Sequence, residues 1–91
     1  MERCRVDAKG FSGCDPATGA RIQAWMTERG VRSVELRPVP GHRYYAIYLN
    51  GLPEPVPGVV LAAEDLEDSE VLLATLEAAR VVFDHETAKA D

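Results

Sequence analysis

Cys14 stands immediately ahead of Asp15-Pro16, a pair suited to starting a helix, and a helix amino terminus lowers the pKa of a thiol beside it. A thiol enzyme built on Cys14 would also need a base, and His42 and His85 are the two histidines that could serve. The preceding Gly10-Phe11-Ser12-Gly13-Cys14 comes near several catalytic and phosphate-binding motifs and completes none. It lacks the fifth-position glycine of a nucleophile elbow, the Gly-Lys-Ser/Thr of a P-loop and the third glycine of a dinucleotide loop. Asp15 would also repel a phosphate held there. Nine residues separate Cys4 from Cys14, and no Cys or His pair has zinc-site spacing. No catalytic residue, metal or cofactor is therefore expected. Each cysteine has a packing role at hand, Cys4 on the inner side of a strand and Cys14 at a helix entry.

A second kind of chemistry is recognition. Arg37, His42, Arg43, Tyr44 and Tyr48 crowd into a short stretch of alternating residues. Tyrosine and arginine anchor interfaces because each covers much area and keeps a polar end. A third lies in Glu64-Asp65-Leu66-Glu67-Asp68-Ser69-Glu70, where Glu64, Asp65, Glu67, Asp68 and Glu70 lack calcium-loop spacing. These acids suit a helix amino terminus and form an anionic patch for a basic or nucleic-acid-associated protein.

The elements that must position these groups follow from periodicity. Cys4, Val6 and Ala8 alternate with Arg3, Arg5 and Asp7 as a short strand, and Gly10, Ser12 and Gly13 mark a loop. A helix runs from Pro16 to Arg29, with Ile22, Trp25, Met26 and Arg29 on one stripe, Ala20 and Ala24 allowing close approach, and Gly30 as its cap. From Val31 the period becomes two. Val39-Pro40-Gly41-His42 fits a type II turn, and pairing outward from it sets Leu36 opposite Tyr45, Val34 opposite Ile47, Arg37 opposite Tyr44, Glu35 opposite Ala46 and Ser33 opposite Tyr48. The alternative to a docking role for these two is that Arg37 lies over Tyr44 as a cross-strand cation and ring pair serving only the hairpin. Asn50-Gly51 suits a hairpin turn, but Pro53, Pro55 and Pro57 make residues 52–57 an extended connection. Residues 58–62 form a further strand and the acids lead into a last helix. Val71, Leu72, Leu76, Ala79, Val82 and Phe83 are its apolar face, and Glu77, Arg80 and Asp84 pair on its wet side. Val81-Val82-Phe83 could instead be a terminal strand, but no Gly or Pro separates it from the helix. Residues 86–91 are expected to fray.

The fold class expected is one α+β domain over residues 1–91, a small antiparallel sheet of three to four strands with two helices on one face, in the order β-α-β-β-(β)-α. From the first helix onward, the order helix, three strands, helix resembles double-stranded RNA-binding domains in element order alone. That family's lysine-rich start to the final helix is absent, and no family is assigned.

The chain has 91 residues and a net charge of −5. Residues 1–45 hold eight basic against five acidic side chains, a balance of +3, while residues 46–91 hold two against ten, a balance of −8. That polarity bears on association rather than fold. No apolar run approaches the roughly 18 residues that span a bilayer, so no membrane partner is expected. Met1-Glu2-Arg3-Cys4-Arg5 leads into no apolar stretch, which points to a cytoplasmic address and reduced thiols. The functional expectation is a non-enzymatic protein-binding module, a small regulator, inhibitor or antitoxin-like factor, using the Tyr/Arg sheet face and the acidic helix. A second copy of the chain is also a candidate partner. The alternative is nucleic-acid binding by the basic hairpin, with Tyr44 and Tyr48 stacking on bases beside Arg37 and Arg43.

Overall fold

Alternation of apolar and polar residues builds most of the sheet. The computed structural model describes residues 3–90. In β1 (Cys4–Asp7), Cys4 and Val6 are buried and Arg5 is exposed. The chain turns at Ala8-Lys9, where Asp7 Oδ1 accepts from the Lys9 amide at 2.8 Å, and returns as β2 (Gly10–Ser12). This strand replaces the loop expected there. It is too short to show a period, and glycine and serine are weak strand formers.

The first helix, α1 (Pro16–Arg29), has the ends expected of it. Asp15 is its N-cap, accepting from the Ala17 amide at 3.2 Å, and left-handed Gly30 (φ 70°) donates its amide to the Met26 carbonyl. Its buried face is Thr18, Gly19, Ile22, Trp25 and Met26. Ala20, Ala24 and Arg29, expected at or beside that face, are exposed. Gly19 allows the close approach instead, because the Phe11 ring lies where its Cβ would be.

β3 (Ser33–Pro38) and β4 (Tyr44–Leu49) form the central hairpin. The turn over Val39–His42 closes as expected, with the His42 amide donating to the Val39 carbonyl at 3.1 Å and Gly41 at φ 79°. Strand pairing does not resume there, however, because a type II turn twists against the sheet. Arg43 extends the loop, and the Val39 amide meets the Tyr44 carbonyl at 3.1 Å. The register is therefore Leu36 opposite Ile47, Val34 opposite Leu49, Glu35 opposite Tyr48 and Arg37 opposite Ala46, which corrects every expected pair by two residues. An even shift leaves each side chain on its face.

Asn50 (φ 56°) and Gly51 (φ 72°) do make a tight turn, with the Leu52 amide donating to the Leu49 carbonyl at 3.2 Å. The prolines then keep the returning chain out of the ladder until β5 (Val60–Ala62). Val56 is pinned on the way, buried and donating to the Ile47 carbonyl at 2.8 Å. A 3-10 turn (Ala63–Asp65) leads to α2 (Ser69–Ala90). Asp68 Oδ1 accepts from the Glu70 and Val71 amides at 3.2 and 3.3 Å, so Asp68 caps the helix while Glu64 and Asp65 belong to the turn before it. Residues 81–83 are helical, not strand, and residues 86–90, where fraying is expected, have helical backbone; Asp91 lies outside the described residues.

The result is an α+β fold, a five-stranded antiparallel sheet in the order β2-β1-β3-β4-β5 with both helices on one face. α1 packs under the β2-β1-β3 side and α2 under β4 and β5. Val6, Ile22, Leu36, Ile47, Leu61, Leu72 and Leu76 are almost wholly excluded from water between these layers. Glu77 ties the helices together: its carboxylate accepts from Arg29 Nε of α1 at 3.1 Å and from Arg80 Nη2 at 2.6 Å, and Arg80 also reaches Asp84 at 2.8 Å. Among the described residues, no helix is long and apolar enough to cross a membrane.

The sulfurs of Cys4 and Cys14 are bonded to each other across a Cα–Cα separation of 5.0 Å. This overturns the expectation of reduced thiols. The β1–β2 hairpin folds the chain back on itself so closely that a Cβ at Gly13 would overlap the Arg3 carbonyl oxygen, and Cys14 follows directly.

Candidate interaction face

With both helices on one side, the other side of the sheet is uncovered, and it carries the outward residues of each strand. Arg5, Glu35 and Tyr48 form one row across β1, β3 and β4, and Arg37, Ala46 and Val60 form the next across β3, β4 and β5. Tyr44 and Ala62 begin a third.

Glu35 is the hub. Its side chain is only 15% exposed, and Arg37 Nε reaches its two carboxylate oxygens at 3.0 and 3.1 Å. Arg3 Nε lies 3.7 Å away on the other side. The hydrogen bond from Arg37 lowers the Glu35 pKa most, burial opposes it, and the charges of Arg37, Arg3 and Arg5 add to the lowering. The same pairing raises the pKa of Arg37. Its guanidinium centre sits 4.2 Å from the centroid of the Tyr48 ring, so carboxylate and ring fix it in one position.

The expected contact between Arg37 and Tyr44 is thus replaced by one with Tyr48, a direct result of the register. Ala46 stands opposite Arg37, and Tyr48 is its diagonal neighbour. Tyr44 stacks instead on His42, ring centroids 5.0 Å apart at 27°. Beside Arg37 a shallow hollow of about 160 Å³ is lined by Arg5, Ser33, Glu35, Tyr48 and Leu52. Leu52 is 48% exposed, an apolar rim to a polar floor.

The acidic segment joins this face at its corner. Ala62 pairs with Tyr44, and the next amide, of Ala63, donates to the Arg43 carbonyl at 3.0 Å. The chain therefore leaves the sheet beside His42, Arg43 and Tyr44 and runs straight into Glu64, Asp65, Glu67, Asp68 and Glu70. All but half-buried Asp65 are exposed, and among the described residues none of the five takes part in an ion pair. Two segments that look separate in the sequence therefore meet at one corner of the sheet, where the Ala63 amide bonds the Arg43 carbonyl.

Arg3, Arg5, Ser33, Glu35 and Leu52 belong to the face and were not among the residues expected there. The alternation of β1 does place Arg3 and Arg5 outward, but that β1 lies against β3 is a non-local fact that no periodicity carries. Cys14 gains no base. Its sulfur is bonded to Cys4, His42 stacks on Tyr44, and His85 is exposed on α2. Among the described residues no three His, Cys, Asp or Glu side chains converge as a metal ion requires. No family model matches the chain, and neither the curated proteins nor the solved structures hold a match to it.

Proposed function

We propose that this chain is a non-enzymatic protein-binding module, a small regulator, inhibitor or antitoxin-like factor, whose docking surface is the uncovered sheet face with its acidic corner. One observation supports this most. Arg37 is held before any partner arrives, by Glu35 on one side and Tyr48 on the other, so little side-chain entropy remains to be lost on docking. The hollow beside it presents guanidinium, hydroxyl and phenol groups around an apolar rim, the mixture that marks interface centres. The acids of residues 64–70 would steer a partner carrying a basic patch of its own onto the corner.

The proposed place of action is the cytoplasm, where the Cys4–Cys14 bond would be open to reduction. The face stands chiefly on β3 and β4, which that bond does not join, so docking should be insensitive to reductant.

The double variant Arg37→Ala with Tyr48→Ala tests the reading. Immobilised wild-type chain should retain one or more proteins from native lysate that the double variant loses, while the two thermal midpoints differ by only a few degrees. Equal retention by both would overturn it. A salt titration with single-stranded oligonucleotides separates the nucleic-acid alternative, which requires binding at low salt that weakens steeply as salt rises.

A further inference from the structure

The charged side chains of the sheet all stand on its uncovered side. Arg5 and Asp7 lie on β1 and Glu35 and Arg37 on β3, with Arg3 just ahead of β1, while β2, β4 and β5 carry no charge. Three cations against two carboxylates leave this face at +1, so the remainder of a chain of net charge −5 holds −6. The face is a cationic island on an acidic molecule.

Its arginines are not equivalent. Arg37 uses Nε and Nη2 on Glu35, both at 3.0 Å, with the Tyr48 ring against its plane, and its Nη1 edge takes no part in the carboxylate contact. Arg5 is less engaged. Among the described residues the one carboxylate near it is that of Asp7, at 4.0 Å and beyond hydrogen-bond reach, and the Arg5 side chain is 63% exposed. Both arginines line the hollow of about 160 Å³, to which Ser33 and Tyr48 add hydroxyl groups and Leu52 an apolar rim.

We infer that this hollow receives a single carboxylate, the side chain of a glutamate or aspartate on an exposed segment of the partner protein, with Arg5 as its counter-ion and the outer edge of Arg37 as a second donor. The inference rests on the reading of this face as the docking surface and adds the chemistry of what docks. Charge sets the valence of the guest. One carboxylate balances the +1 of the face, whereas a phosphate group, about −1.5 to −2 near neutral pH, would bring its surplus against Glu35 in the same lining. Size agrees: at roughly 30 Å³ per water the hollow has room for about five, enough for a carboxylate on its methylene stem and too little for a nucleotide. The rings leave little surface for base stacking, since Tyr48 already carries Arg37 and Tyr44 already stacks on His42. A long polyanion would also lie over a molecule whose remaining charge is −6. Leu52, 48% exposed, suits an apolar neighbour of the acid, and the planar fork of Arg5 matches a carboxylate through paired hydrogen bonds.

NMR titration of the whole chain tests this with a defined probe, the blocked dipeptide acetyl-Leu-Glu-amide. Its Leu-Gln counterpart, acetyl-Leu-phosphoserine-amide and a thymidine oligonucleotide are titrated beside it at constant ionic strength. The Leu-Glu probe should saturate in the millimolar range, shifting the Nε–H signals of Arg5 and Arg37 and the Leu52 amide. It should bind about fivefold or more tighter than Leu-Gln, and Arg5→Gln should weaken it by a similar factor while the thermal midpoint is kept. Equal binding of Leu-Gln, tighter binding of the phosphoserine probe or the oligonucleotide, or no saturation in the millimolar range overturns the inference. The docking reading is scored separately. Proteins retained from lysate by wild type and Arg5→Gln alike, but lost by Arg37→Ala with Tyr48→Ala, would keep the face and overturn the carboxylate site.

Discussion

Opening the Cys4–Cys14 bond should lower the stability of this domain by about 2.7 kcal/mol. The two cysteines are separated by 10 positions in the sequence, and in the chain-entropy account a loop of that size removes about 9 cal/mol/K from the denatured chain. For a domain of this length, 1 kcal/mol corresponds to roughly 4–8 °C in Tm, so reduction should lower the midpoint by about 10–20 °C. The native contacts need hardly change, because Cys4 is 1% exposed and packs as a small apolar group with or without its bond. The perturbation therefore acts mainly on the unfolded chain. The assay is urea unfolding followed by circular dichroism, with and without dithiothreitol, beside the double variant Cys4→Ala/Cys14→Ala. The variant should match the reduced wild type and ignore the reductant. The urea m-value should rise on reduction, since an uncrosslinked chain exposes more surface. Coincident curves for oxidised and reduced protein, or two titratable thiols in denatured, unreduced chain, would refute the reasoning.

Other outcomes follow from single residues. Glu77 has its pKa lowered from 4.5 to about 2, first by its hydrogen bond from Arg80 and then by that from Arg29, against the opposing effect of burial. Its contribution to stability is present above about pH 4.5 and disappears as pH falls toward about 2. Glu77→Gln should accordingly lower Tm at pH 7 and leave a flatter acid limb in a thermal-shift series; parallel limbs would remove the assignment. Gly13→Ala places a side chain on a φ of 73° and against the Arg3 carbonyl, and should destabilise by more than about 1 kcal/mol in urea titration. Asp15→Ala deletes the α1 cap and should lower stability by about 0.5–2 kcal/mol, with loss of protection in the first-turn amides. An unchanged urea midpoint in either variant would count against its role.

Local signals carried much of this fold. Asp15-Pro16 and Gly30 bound α1 because caps act within a turn of chain, and the alternation from Val34 to Leu49 assigned inner and outer faces that survive a two-residue error in pairing. What failed was non-local or depended on geometry beyond the turn. β2 has three residues and no pattern of its own, and the disulfide exists only because the β1–β2 hairpin brings Gly13 and Cys14 back over Arg3 and Cys4. The outward placement of Arg37, Tyr44 and Tyr48 was legible. Glu35 as the hub was not, since it takes β1 beside β3 to bring Arg3 to it. The α1 stripe misplaced Arg29, because only the position of α2 shows that Glu77 awaits it outside the core.

Trp25 is the chain's single tryptophan. It is 5% exposed, and among the described residues its indole N–H has no hydrogen-bond partner. It sits on the buried face of α1, within the core beneath the sheet. The protein thus contains its own optical probe. An indole in so dry a setting emits toward the blue and shifts red only when the interior floods, so its colour reports unfolding while staying silent to whatever docks outside.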